Sequence, residues 1–115
     1  MLLIERGHEP SVGRWSVPGG RCRAGESPAV ACVREVAEET GLRVRVARLA
    51  GRVERAGSAG TVYDIEDFVC VLEGGTLAPG DDAAKAVWAT RADLEALPLV
   101  PGLLEALREW DCLPR

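Results

Sequence analysis

Gly20-Arg21-Cys22-Arg23-Ala24-Gly25-Glu26, then seven residues, then Arg34-Glu35-Val36-Ala37-Glu38-Glu39-Thr40-Gly41-Leu42 is the stretch from which the rest of this chain is read. Between its halves, Ser27-Pro28 predicts a helix start, a serine cap followed by proline at the first helical position. Gly41, just past the last periodic residue, is the natural stop. With Glu35 set at zero and about 100° of rotation per residue, Glu39 falls at about +40° and Glu38 at about −60°. Ala31 lies between them, while Ala29, Val30, Val33, Val36, Ala37 and Thr40 take the opposite half and are the expected dry face.

Like charges three and four positions apart destabilise a helix by roughly 0.2–0.5 kcal/mol each. These acids also sit near the helix C-terminus, where the dipole disfavours them. A hard divalent cation such as Mg²⁺ or Mn²⁺ would offset both penalties, because it takes oxygen ligands and keeps some waters. Arg34, on the flank, would pair with one carboxylate and fix its orientation. The competing reading is a solvated acidic helix face, which is common.

Written as a pattern, the stretch is G-x5-E-x7-R-E-U-x-E-E-x-G-U, with U apolar and every position matched. At average residue usage a given window would match by chance with odds on the order of one in a billion. The stretch resembles the signature box of the Nudix hydrolase (MutT-like) family. Gly13-Arg14-Trp15-Ser16-Val17-Pro18-Gly19-Gly20 is similar to the segment that leads into that box, and Leu2-Leu3-Ile4-Glu5-Arg6 to the strand before it. Trp88, at the end of a late strand, is similar to another family feature.

The resemblance implies one Nudix domain over residues 1–115, an α/β (α+β) fold built as an α/β/α sandwich with a mixed sheet. It implies a pyrophosphohydrolase of a nucleoside diphosphate linked to another moiety, with Mg²⁺ or Mn²⁺ as cofactor. Carried over by residue, Glu35, Glu38 and Glu39 are metal ligands and water activators, with the Gly19 carbonyl a further ligand. Glu35 is the first choice of general base. Arg34 belongs with the catalytic set and Glu26 supports the loop. Arg6, Arg14, Trp15 and Gly20 are the candidate substrate contacts. Some relatives take another acid from a late loop, a role open to Asp82, with Asp81 beside it; a polar turn is the alternative there. Trp15 would either stack on a base or anchor the loop.

Around the box, Leu2–Ile4 reads as a short strand and Gly7–Glu26 as a long loop. Arg43-Val44-Arg45-Val46 alternates as a half-buried strand should. Val62–Leu72 is the longest strand candidate, and its apolar second half, Phe68 to Leu72, places it centrally in the sheet. Ala86–Thr90 is a further strand. Thr90-Arg91-Ala92-Asp93 resembles a capping box opening a short helix through Leu97. Leu103, Leu104, Leu107 and Trp110 mark the buried stripe of a last helix.

Length and composition narrow the function classes. A chain of 115 residues suits one domain with a lean core. Net charge −4 argues against a partner such as long nucleic acid, which needs a basic surface. No run approaches a membrane span, and MLLIERGHEP is not a signal peptide. Cys22, Cys32, Cys70 and Cys112 form no CxxC pair and have only His8 to join them, so reduced, cytoplasmic thiols are expected. His8 reads as a surface loop residue. Asn and Gln are absent and Lys85 is the only lysine, so positive charge is almost wholly arginine. The run Arg43, Arg45, Arg48, Arg52 and Arg55 reads as phosphate contact or interface, or more simply as a solvated strand edge.

Two departures from the family pattern bear on partner and substrate. One more strand usually precedes the equivalent of Leu2–Ile4; without it an open sheet edge favours a homodimer. Ser58 stands where some ADP-ribose hydrolases carry proline, and Tyr63 is too far downstream for the tyrosine of dinucleoside-polyphosphate members. The expected partner is a small nucleotide, an ADP-ribose-like nucleotide sugar or an (oxidised) nucleoside triphosphate. The alternative is a Nudix-fold module that binds a nucleotide without turnover.

Overall fold

Leu3 and Ile4, both buried, make β1 (Leu2–Arg6) the middle of a three-stranded sheet. The computed structural model describes residues 1–7, 11–56, 58–80 and 83–114. His8, Asp81 and Asp82 lie outside the described residues. β2 (Trp15–Ser16) and β5 (Ala83–Trp88) flank β1, both antiparallel. β2 lies inside the segment expected to be loop, because two residues are too few to register a period.

β3 (Leu42–Ala56) and β4 (Val62–Gly75) pair antiparallel as a long ribbon. β3 runs well beyond the expected Val46. Its register shifts between Val46 and Arg48 and again between Leu49 and Gly51. Each extra residue reverses the alternation of faces, so the period-two signal dies at Val46 while the strand continues. The central placement of β4 is corrected. Among the described residues it pairs only with β3, and Val71 and Leu72 are exposed. Its apolar run serves the face that meets a helix, which a continuous run cannot distinguish from burial on both faces.

That helix is α1 (Pro28–Thr40), packed against β3, β4 and β5. Its ends form as the sequence predicts. The Ser27 hydroxyl accepts from the Val30 N–H at 3.2 Å, and Gly41 adopts φ 75° while its N–H donates to the Ala37 carbonyl at 3.0 Å. The buried face is rotated from the expected one: Ala31, Val36, Glu39 and Thr40 are buried, whereas Val30 and Ala37 are exposed. Counting apolar positions sends every carboxylate to water. Here Glu39 finds a backbone donor inside, which removes the penalty for burying it.

α2 (Arg91–Ala96) starts at the predicted capping box: the Thr90 hydroxyl accepts from the Asp93 N–H at 3.2 Å, and Asp93 Oδ2 accepts from the Thr90 N–H at 2.9 Å. α3 (Leu103–Glu109) buries Leu103, Ala106 and Leu107. With Leu3, Trp15, Ala89 and Leu94, residues Leu103 and Leu107 form the main core. Trp110 is half-buried and lies across Gly51, where a Cβ would overlap the indole ring. The class is α/β (α+β), as expected. All ladders are antiparallel, and the parallel part of the sheet is, among the described residues, a single bridge from Trp15 to Leu99.

The loop after β4 is sewn to the end of α1. Ala78 N–H donates to the Thr40 carbonyl and Gly80 N–H to the Glu39 carbonyl, each at 2.8 Å, satisfying acceptors that a helix end leaves free. A Cβ on Gly80 would overlap the Glu38 carbonyl oxygen. Gly80→Ala should therefore destabilise the fold by about 1–3 kcal/mol, seen as a Tm lower by roughly 4 °C or more. An unchanged Tm would mean that this loop does not hold the helix end.

Candidate active site

Arg34 is the residue around which the loop and helix are assembled. Its Nε donates to Glu26 Oε2 at 2.7 Å and its Nη2 to Glu26 Oε1 at 2.8 Å, a two-pronged pair that fits a planar guanidinium to a carboxylate. Nη2 also donates to the Arg21 carbonyl at 3.0 Å. Nη1 donates to Glu35 Oε1 at 2.6 Å and to Glu38 Oε2 at 3.1 Å. The side chains of Arg34, Glu26 and Glu35 are only 16%, 11% and 15% exposed. One cation thus ties loop residues 21–26 to the carboxylates of α1.

The loop closes on itself as well. Glu26 Oε1 accepts from the Arg23 N–H at 2.8 Å, and the Arg23 guanidinium reaches Glu38 Oε1 at 3.1 Å. Hydrogen bonds from the Arg34 guanidinium, then from the Arg23 N–H, hold the Glu26 carboxyl well below the usual carboxylate range, at about 2. The same contacts, to Glu26 first and then Glu35, push the Arg34 guanidinium upward. On the inner side, Glu39 is 4% exposed and its Oε1 accepts from the Gly19 N–H at 3.1 Å. A Cβ on Gly20 would lie 2.5 Å from the Glu35 carboxyl carbon, so a larger residue there would displace the Glu35 carboxylate.

Against this geometry stand three comparisons. The model of the NUDIX domain family matches residues 1–110. The chain belongs to the Nudix family. An "ADP-ribose pyrophosphatase" of Methanocaldococcus jannaschii is 39% identical over 100 residues, covering 85% of this chain and 57% of that protein. A "putative 8-oxo-dGTP diphosphatase 2" of Mycobacterium tuberculosis is 33% identical over 102 residues, covering 88% of this chain and 72% of the relative. Among solved structures, the MutT NUDIX hydrolase of Burkholderia pseudomallei superposes with a TM-score of 0.81 at 27% identity, covering 93% of this chain and 84% of that one. The chain spans little more than half of the M. jannaschii relative, and 26% of the Caenorhabditis elegans relative "putative nudix hydrolase 1".

The Nudix loop and helix therefore bring together Gly19, Gly20, Glu26, Arg34, Glu35, Glu38 and Glu39. Every donor that this set offers a cation is oxygen, which suits Mg²⁺ or Mn²⁺. The carboxylates are not gathered for it: among the described residues no three acidic, histidine or cysteine side chains stand ready to hold a metal. Glu35 and Glu38 turn to Arg34 and Arg23 instead. The set fits such an ion once those ion pairs open.

The other candidates sit elsewhere in the fold. Of the two readings of Trp15 the structure takes the anchor: it is 7% exposed in the main core, with its backbone N–H donated to the Pro98 carbonyl at 2.9 Å. The Arg6 N–H donates to the Arg14 carbonyl at 2.9 Å, and the Arg14 Nη1 to the Leu99 carbonyl at 3.0 Å. Along the ribbon, Arg45 pairs with Glu73 at 3.6 Å and Arg52 with Glu66 at 3.0 Å, as a solvated strand face would. Sequence reading missed Arg21 and Arg23, which fall in the five-residue spacer that the motif leaves unspecified. Arg21 also stacks over the Tyr63 ring at 5.0 Å and bonds its hydroxyl.

Because Glu26 has a lower pKa folded than unfolded, its stabilising effect is present above its ordinary value of 4.5 and is lost as pH falls toward about 2. The Glu26→Gln variant should be less stable than the parent at neutral pH. The two stabilities should converge between those pH values in urea titrations. Parallel curves down to the acid limit would remove Glu26 from the clamp.

Proposed function

We propose that this chain is a divalent-metal-dependent pyrophosphohydrolase acting on a nucleoside diphosphate linked to another moiety. The observation that carries the reading is the complete Nudix acid set on one helix turn, Glu35 and Glu38 held by Arg34 and Glu39 by the Gly19 N–H. The activities named for the relatives favour two substrate classes, ADP-ribose-like nucleotide sugars and oxidised nucleoside triphosphates. Both contain the same reacting group, a diphosphate whose negative oxygens repel water.

Glu35, Glu38, Glu39 and the Gly19 carbonyl would hold Mg²⁺ or Mn²⁺, which neutralises the diphosphate and acidifies a bound water. Glu35 takes the proton from the attacking water. Attack at one phosphorus expels the other phosphate group. Arg34 and Arg23, released from the carboxylates, compensate charge on the phosphates. Arg6, Arg14 and Gly20 remain candidate substrate contacts. Asp82, two positions after Gly80 in the sequence, remains the candidate further acid.

The outer edge of β5, which among the described residues pairs only with β1, supports a homodimer. Among the described residues no helix is long and apolar enough to cross a membrane; a cytoplasmic setting for the free thiols is part of the same proposal.

Nucleotide release should be followed for ADP-ribose, the common nucleoside triphosphates, an oxidised guanine triphosphate and a dinucleoside polyphosphate, each with Mg²⁺, Mn²⁺ or EDTA. The expected result is metal-dependent turnover of an ADP-ribose-like or triphosphate member, abolished by EDTA. Glu35→Gln should lower kcat by roughly 10²–10⁴-fold with an unchanged circular dichroism spectrum. Glu39→Gln should weaken Mn²⁺ binding measured by electron paramagnetic resonance. Nucleotide binding without turnover across the panel would replace hydrolysis by a sensing role.

A further inference from the structure

α1 and β4 meet through two thiols that the carboxylate chemistry does not use. Cys32 lies on α1 one turn before Glu35, and Cys70 meets it from β4 with the two Sγ atoms 3.9 Å apart. Both are half-buried, so they are sheltered from bulky reagents while remaining open to small ones. The two other cysteines are placed differently: Cys22 is exposed in the Nudix loop, and the Cys112 thiol donates to the Trp110 carbonyl at 3.4 Å.

A disulfide requires sulfur atoms about 2.05 Å apart. The gap to close lies between side chains of elements that are already packed together. The two thiols are also unequal. Their mutual hydrogen bond holds the Cys70 thiol below its ordinary range, which favours Cys70 as the attacking sulfur. The same hydrogen bond, then burial, then the charges of Cys70 and Asp67 push the Cys32 thiol up.

We propose that Cys32 and Cys70 form a reversible redox-active dithiol that a small hydroperoxide oxidises to a disulfide tying α1 to β4. The Cys70 thiolate attacks one peroxide oxygen, the O–O bond breaks, and the other oxygen leaves with a proton as water or alcohol. Cys70 is then a sulfenic acid. The Cys32 sulfur attacks it, the S–O bond breaks, and the hydroxyl departs as water with the Cys32 proton. The peroxide gains the two electrons that the thiols lose, and an external thiol reverses the step. This chemistry is independent of the hydrolysis proposed above and stands or falls by itself.

The reduced full chain, treated with hydrogen peroxide, should lose two of its four titratable thiols and two hydrogens in mass, with recovery in dithiothreitol. Peptide mapping should join the peptides containing Cys32 and Cys70. The double variant Cys22→Ser/Cys112→Ser should behave the same way. In Cys32→Ser the bond should not form, and dimedone should label Cys70. A cross-link through Cys22 or Cys112 would overturn the proposal, as would oxygen adducts on Cys70 of the parent chain in place of a bond. Because mapping uses the parent protein, the result does not depend on either single variant folding.

Discussion

A guanidinium placed among carboxylates organises this molecule. Arg34 reaches both oxygens of Glu26, the Arg21 carbonyl, Glu35 and Glu38, all between 2.6 and 3.1 Å. Without it, three like charges within one helix turn, near the negative end of the helix dipole, would repel one another, and the loop would lose its tie through Glu26 to the helix. A lysine would carry the charge but not the planar fork that grips Glu26 from two sides. The loop conformation, the carboxylate orientations and the low pKa of Glu26 all follow from that one placement.

Backbone approach is the second constraint, and at Gly80 it uses glycine because a Cβ would meet the helix backbone. Gly20 leaves room for the Glu35 carboxylate, and Gly80 lets the segment after β4 reach the last turn of α1. Between these two contacts Glu39 is buried as a hydrogen-bonded carboxylate, its oxygen on the Gly19 N–H and its carbonyl on the Gly80 N–H. A buried acid is tolerable only with such partners. The helix face that packs inward is therefore the face that carries chemistry.

The same pairing logic governs the rest of the charge. Net charge is −4, and two arginines of the basic run on β3, Arg45 and Arg52, are matched across the ribbon by Glu73 and Glu66. Charges that lie close together and shielded from solvent are those of Glu26, Arg34, Glu35 and Glu39.

The sequence by itself determined the caps of α1, the capping box of α2, the membership of the signature set and the antiphase of polar and apolar residues at the start of β3. Each of these is a local property, decided by a side chain and the backbone within a turn of it. Tertiary structure decided which face of α1 is buried, because only the packed loop supplies Glu39 with a donor. It decided the course of β3, since each bulge resets the alternation that sequence periodicity relies on. It placed Trp15 in the core and left Val71 and Leu72 outside, because an apolar side chain does not encode which neighbour will cover it. It also set Arg23 against Glu38 and Cys32 against Cys70, contacts between residues whose spacing carries no period and whose meeting depends on how helix, loop and ribbon pack.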